Sequence, residues 1–151
     1  KLPSLADPAR RLGQSPLRAP SVFNFYRPGY TPPGTQLAAL GLVAPEMQIT
    51  TETSVAGYLN FMQTAIGATT TLLESDMVAD YAEWLPLAGD VMTLLAHANL
   101  VLCAGQMSTA TFDTIRGALE TMPVGNDAQR RARVNAAVLL TMASLDFLVL
   151  R

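Results

Sequence analysis

Val91-Met92-Thr93-Leu94-Leu95-Ala96-His97-Ala98-Asn99-Leu100-Val101-Leu102-Cys103-Ala104 is apolar on nearly every side, broken only by Thr93, His97 and Asn99. A helix without a polar face is a buried one. The stretch is shorter than the ~20 residues that cross a bilayer. It therefore reads as the central core helix of a globular domain, and Gly105 behind it suits the C′ position that ends such a helix.

Downstream, Ser108 is placed as an N-cap, and Phe112, Ile115, Leu119 and Met122 form the stripe of a following helix. Pro123 and Gly125 end it. Asn126 or Asp127 caps a last long helix, in which Val134, Val138, Thr141, Leu145 and Leu148 share one face. Upstream, Val55, Leu59, Met62, Ile66 and Leu73 recur at helical spacing between Thr51 and Leu73, with Glu52 suited to the first turn. A poorer helical segment runs from Ser75 to Leu85 and stops at Pro86, and Pro45 suits N1 of a short helical turn. No strand alternation and no repeat occurs. The fold class expected is all-α: four to five helices in an orthogonal or bundle-like domain.

Before the helices comes a different kind of chain. Residues 1–18 read as a polar, proline-punctuated leader with one short helix around Leu5 to Leu12, and residues 19–151 as a single helical domain. From Ala19 the sequence Ala-Pro-Ser-Val-Phe-Asn-Phe-Tyr-Arg-Pro-Gly-Tyr-Thr-Pro-Pro-Gly concentrates Phe23, Phe25, Tyr26 and Tyr30 among prolines. Proline fixes its own φ and extends the residue before it. A stiff aromatic ribbon loses little entropy on ordering and offers much apolar surface. At least two of its four aromatics are expected to be largely buried, so that Phe23→Ala would cost about 3–5 kcal/mol.

Ala19-Pro20-Ser21-Val22-Phe23-Asn24-Phe25-Tyr26, Pro28-Gly29-Tyr30 and Gly41-Leu42-Val43-Ala44-Pro45-Glu46 resemble the C-terminal part of the bacterial DUF1800 family, whose function is unknown. Leu102-Cys103-Ala104-Gly105-Gln106-Met107-Ser108 resembles that family's Leu-Leu-Ala-Gly-Gln-Met-Ser turn. The ending Ala143-Ser144-Leu145-Asp146-Phe147-Leu148-Val149-Leu150-Arg151 resembles its Ala-Ser-Pro-Glu/Asp-Phe-Leu-Val-Gln-Arg terminus. In the family pattern Ser144 caps a separate terminal turn with proline at N1. Leu145 replaces that proline and leaves two courses open, a break at Ser144 or a helix that runs on to Leu150. The resemblance implies a parent several hundred residues long, of which this is the last third, and it suggests export.

Of the 151 residues, 50% are hydrophobic and only 15% charged, against a usual charged share of about 25%. A net charge of −2 and a pI near 5.2 give no electrostatic footprint for nucleic acid. Arg10-Arg11 and Arg130-Arg131 with Arg133 read as solvated helix faces. The single cysteine excludes an internal disulfide. The start Lys1-Leu2-Pro3 lacks the apolar run of a signal peptide, which in a fragment says nothing of the parent.

The chemistry-bearing residues are few. His97 is the only histidine, so no histidine-based metal cluster can form, and it reads as a core or interface residue satisfied by one hydrogen bond. Cys103, near a helix C-terminus, reads as buried and structural, because reactive thiolates favour helix N-termini or cationic neighbours. Asp76, Asp80 and Glu83 fall on one helical face, but a straight row cannot converge the oxygens of a calcium site. Asn24, Arg27 and Glu46 are the polar residues within the family-like motifs, and Arg27 with Glu46 could form a partly buried ion pair tying the ribbon to the domain. The sharper alternative is a binding cleft lined by Tyr26, Arg27 and Tyr30. No nucleotide-binding glycine loop, zinc spacing or nucleophile elbow occurs.

The expected function is a non-catalytic structural or interaction module. Its partner would be the N-terminal portion of the same protein or a second copy, met through an apolar face, with no cofactor, metal, nucleic acid or transmembrane segment. The alternative is one wall of the active site of an exported enzyme whose reactive residues lie upstream.

Overall fold

A computed structural model describes residues 5, 7, 9–68 and 78–148. Its α-helices are α1 (Gln36–Ala39), α2 (Glu52–Gly67), α3 (Val91–Cys103), α4 (Thr109–Glu120), α5 (Asp127–Met142) and α6 (Leu145–Leu148), with 3-10 turns at Pro45–Ile49 and Leu85–Gly89. The described residues contain no strand, only an isolated bridge between Ser21 and Asn24. The all-α expectation holds. Two compact units divide the chain, one containing the described residues up to Thr64, the other Ala65 onward and everything from Val78.

The second unit owns the core. Ala88, Leu94, Leu95, Ala98, Leu119, Val134 and Ala137 are all fully enclosed, drawn from α3, α4, α5 and the turn before α3. Local signals start each helix. Asp90 caps α3, its Oδ1 accepting the Met92 N–H at 3.0 Å and its Oδ2 the Thr93 hydroxyl at 2.6 Å. Ser108 caps α4 and Asn126 caps α5 through the Gln129 N–H. The α4 stripe is realised by buried Ile115 and Leu119, and that of α5 by Val134, Val138 and Thr141. Arg133, expected on a solvated face, is instead 6% exposed. It lies one residue before Val134 on the face that α5 turns inward.

α3 departs from the expectation of full burial in an orderly way. Val91, Leu94, Leu95 and Ala98 face the core, while Met92, Leu100 and Val101 are 48%, 67% and 55% exposed. The helix stops where two successive residues turn left-handed, Ala104 at φ 52° and Gly105 at φ 77°. Glycine adopts that conformation without penalty, alanine does not. The Gly105 N–H closes the end on the Asn99 carbonyl at 2.9 Å.

At the other end of the unit, leucine in place of proline does not extend α5. The helix ends at Met142, and the Ser144 N–H and hydroxyl both donate to the Thr141 carbonyl, at 3.1 and 2.7 Å. α6 is a separate turn, so Leu145 and Leu148 leave the α5 face and are 69% and 50% exposed.

The first unit has almost no core. Among its described residues only Gly57 and Phe61 are buried, with the Arg11 guanidinium 5.7 Å from the centre of the Phe61 ring. The short helix around Leu5 to Leu12 does not form among the described residues; a turn does, with the Arg11 N–H on the Asp7 carbonyl at 2.8 Å. In α2 the buried residues are Gly57, Phe61 and Ile66; of the expected stripe Ile66 is 6% exposed and Met62 half-buried, while Val55 and Leu59 are 44% and 38% exposed. α2 starts on a reciprocal Thr51–Ser54 cap, backbone N–H to hydroxyl in both directions at 2.8 and 3.1 Å. The expected extension to Leu73 stops at Gly67, Ala68 being non-helical and the rest lying outside the described residues. Of the expected Ser75–Leu85 helix only 75–77 lie outside them, and from Val78 the chain is non-helical up to the 3-10 turn, so that helix does not form there.

The aromatic ribbon divides. Phe25, Tyr26 and Tyr30 have most of their surface covered, as expected of at least two of the rings, whereas Phe23 is 55% exposed. Aromatic content signals surface that gains by burial but not which of four neighbouring rings the chain will cover. Phe23→Ala is therefore expected to change stability by no more than about 0.5 kcal/mol, whereas Leu94→Ala should cost about 2–5 kcal/mol. Urea titrations of the two variants check this; comparable losses would show that the ribbon is part of the folding unit.

Candidate functional site

The five candidate binding residues all lie where two segments of the ribbon meet. A turn from Ser21 to Asn24 is closed by the Asn24 N–H on the Ser21 carbonyl at 3.1 Å, with Asn24 itself left-handed at φ 64°. Asparagine tolerates that conformation better than most residues. A second turn joins the Tyr30 N–H to the Arg27 carbonyl at 3.1 Å. From there the backbone reaches across. The Tyr30 carbonyl accepts the Ala44 N–H at 2.8 Å, and the Arg27 N–H donates to Gln48 Oε1 at 2.7 Å.

Arg27 thus ties the ribbon down through its backbone, not its guanidinium. Among the described residues no ion pair links Arg27 to Glu46; both are exposed, and Glu46 sits in the first turn of the 3-10 helix behind Pro45. Tyr26 and Tyr30 are half-buried beside them. An open cleft of about 400 Å³ does exist here, but Leu5, Leu12, Leu17, Asn24 and Phe25 are among its lining residues, and Tyr26, Arg27 and Tyr30 are not. Only Asn24 of the five candidates faces it.

In the second unit several polar side chains are occupied by structure, while Arg133 Nε, Asn135 Oδ1 and the Thr141 hydroxyl are buried without a hydrogen-bond partner among the described residues. Asp146 at the start of α6 accepts both the Ser108 N–H, at 3.1 Å, and the Ser108 hydroxyl, at 2.8 Å. The same hydroxyl oxygen accepts the Thr111 N–H at 3.3 Å as the cap of α4. Asn99 Oδ1 takes the Met107 N–H at 2.9 Å, fixing the turn between α3 and α4. Cys103 lies beneath this junction, buried as expected. Burial, and to a lesser degree the negative charge of Asp146, push its thiol above the usual range, the opposite of what a nucleophile requires. His97 is half-buried and meets the Trp84 ring edge-on, centroids 4.6 Å apart at 80°; among the described residues this ring contact, rather than a hydrogen bond, is its partner.

Asp76 lies outside the described residues. Asp80 Oδ1 accepts the Ala82 N–H at 2.9 Å in a turn, not on a helix, so the expected acidic row does not extend along a helix here. No group of three or more potential metal ligands comes together among the described residues, and no helix there is long and apolar enough to cross a membrane.

Sequence reasoning missed Arg133 outright. Its Nη1 donates to the Ala88 carbonyl at 3.1 Å and its Nη2 to the Met122 carbonyl. The signal was present in the register: Arg133 adjoins Val134 and stands four residues before Ala137, on the buried arc.

These features define an all-helical chain whose well-packed unit uses Asp90, Ser108, Asn126 and Asp146 for caps and junctions, while apolar residues remain exposed. The model of the family described as protein of unknown function, DUF1800, matches residues 1–149, and the chain belongs to that family. No curated protein and no solved structure matches it.

The Ser108–Asp146 junction gives a direct test. Ser108→Ala removes a cap and a part-buried hydrogen-bond partner of Asp146 and should cost about 1–2 kcal/mol. Asp146→Asn should cost less when Ser108 is already alanine. A double-mutant cycle showing additive losses would mean that the two side chains do not interact in solution.

Proposed function

We propose that this chain is a non-catalytic interaction module, forming the C-terminal part of a longer DUF1800 protein and docking through apolar surface that its own fold leaves open. The supporting observation is the exposure of the residues that spell the ribbon motif. Val22 is 94% exposed, Phe23 55%, Leu42 49% and Val43 59%. Apolar side chains that contribute nothing to the core of their own chain, yet sit in one stiff, hydrogen-bonded ribbon, are suited to a partner surface.

In this reading Asn24, Tyr26, Arg27, Tyr30 and Glu46 supply the polar rim of the docking surface, and the outer side of α3 adds a second apolar face. The ties at Tyr30–Ala44 and Arg27–Gln48 hold the ribbon in place before it docks, which lowers the ordering cost of association. The partner is the remaining part of the same protein or a second copy.

A fluorescent apolar dye such as ANS measures the open surface. The folded chain should enhance its emission, and Phe23→Ser combined with Leu100→Ser should reduce the enhancement while far-UV circular dichroism stays the same. A folded chain that leaves the dye unaffected would contradict the interaction reading.

A further inference from the structure

The cleft of the first unit is apolar inside and cationic at its edge. Leu5, Leu12, Leu17, Ala19 and Phe25 are among the residues lining its 400 Å³, and no described lining residue is charged. Arg18 stands between Leu17 and Ala19 and is exposed, while Arg11 adjoins Leu12 and is half-buried. Four arginines, Arg10, Arg11, Arg18 and Arg27, fall between Asp7 and Glu46, and no Asp or Glu does. Among the described residues none of the four has an ion-pair partner; the pairs there belong to Arg116. Resting on the interaction reading above, we propose that the partner meets this unit with an acidic peptide segment, seating an apolar side chain in the cleft and a carboxylate on Arg18.

Three features select this occupant. The first is charge. A guanidinium that finds no carboxylate in its own unit is free to take one from outside, and its planar fork can hold it by two parallel hydrogen bonds. A second copy brought ribbon to ribbon would set arginine against arginine, with no carboxylate in this run to offset the repulsion.

The second is shape. Two short turns flank the cleft, one closed by the Arg18 N–H on the Ser15 carbonyl at 3.2 Å, the other by the Asn24 N–H on the Ser21 carbonyl. Ser15 and Asn24 both line it, so its rim is fixed by backbone hydrogen bonds before anything binds. Its volume is at the low end of the ~300–1,000 Å³ of binding pockets, which suits protruding side chains rather than a flat surface. A peptide carries such side chains, and a bilayer surface does not.

The third is strain. Leu17 is left-handed at φ 59°, at the turn position where glycine is usual, and its side chain is fully exposed. Leucine adopts that conformation at a cost, and this one contributes nothing to the core of its own chain. What it does is extend the apolar wall of the cleft, beside Arg18.

Fluorescence anisotropy with dye-labelled hexapeptides tests the proposal. Asp-Glu-Leu-Phe-Glu-Asp should bind the chain saturably. The uncharged Asn-Gln-Leu-Phe-Gln-Asn should bind about tenfold more weakly, and so should Asp-Glu-Ser-Ser-Glu-Asp, which has no apolar side chain to seat. Arg18→Gln should weaken the acidic peptide about fivefold, as expected for an exposed ion pair, with the far-UV circular dichroism unchanged. Arg18→Glu supplies a second readout: it should bind Lys-Lys-Leu-Phe-Lys-Lys in preference to the acidic peptide. Equal binding of the acidic and uncharged peptides overturns the proposal. So does binding that survives both the Ser-Ser replacement and Arg18→Gln, since only diffuse charge would then be at work. A chain that binds none of the peptides also overturns it, in favour of a lipid surface if the chain sediments with anionic phosphatidylglycerol vesicles. If the peptides fail while ANS emission still responds to Phe23→Ser and Leu100→Ser, the interaction reading stands with a different occupant.

Discussion

A buried cation with no carboxylate partner among the described residues joins the second unit together. The guanidinium of Arg133 on α5 binds the carbonyl of Ala88, in the 3-10 turn before α3, and that of Met122, just beyond the end of α4. Carbonyls at the ends of helical turns have no partner within their own helix and carry partial negative charge. One planar donor group satisfies two of them from different elements, which a compact ammonium could not do. Neither carbonyl is close to Arg133 in sequence, so the contact fixes how α5, α4 and the turn leading into α3 are arranged. The ion pairs of Arg116 with Asp113 and Glu120 lie at the surface of α4, where such pairs contribute little.

The residues carrying the family resemblance turn out to be joints. In the first unit the motif around residues 19–30 is hydrogen-bonded to the one around 41–46 through Tyr30 and Ala44. In the second, the Met107-Ser108 turn meets the terminal Asp146. These motifs are made of turn formers, caps and short polar side chains because that is what a joint needs. Ser108 and Asp146 are accordingly a cap and its anchor.

The helices from α3 onward were legible because their caps and periodicity agree: Ser108, Asn126 and Gly105 stand where the structure uses them, and Ile115, Leu119, Val134 and Val138 are buried. Three things were not legible. Leu145 in place of proline leaves the break between α5 and α6 open; the chain takes the break, with Ser144 closing α5 on the Thr141 carbonyl and Asp146 held by Ser108. In α2 the expected apolar row is buried only at its end, at Ile66, while Gly57 and Phe61 are the other buried residues and Val55 and Leu59 are exposed. The ribbon's aromatics advertise burial, but periodicity and composition cannot say which of four neighbouring rings the chain will cover. Of the candidate site, the expectation is that its residues tie the ribbon to the helices through an Arg27–Glu46 ion pair; the ties that form join two stretches of the ribbon to each other, through backbone groups and Gln48.

Urea denaturation of Arg133 variants tests most directly whether this clamp holds the helical unit together. Arg133→Met keeps much of the side-chain volume and leaves both carbonyls without their donor, and an unsatisfied buried polar group costs about 1–3 kcal/mol. The variant should therefore lose about 2–5 kcal/mol, with Arg133→Lys recovering only part because one ammonium cannot serve both carbonyls. An Arg133→Met protein as stable as the parent, with the same denaturant slope, would contradict the account.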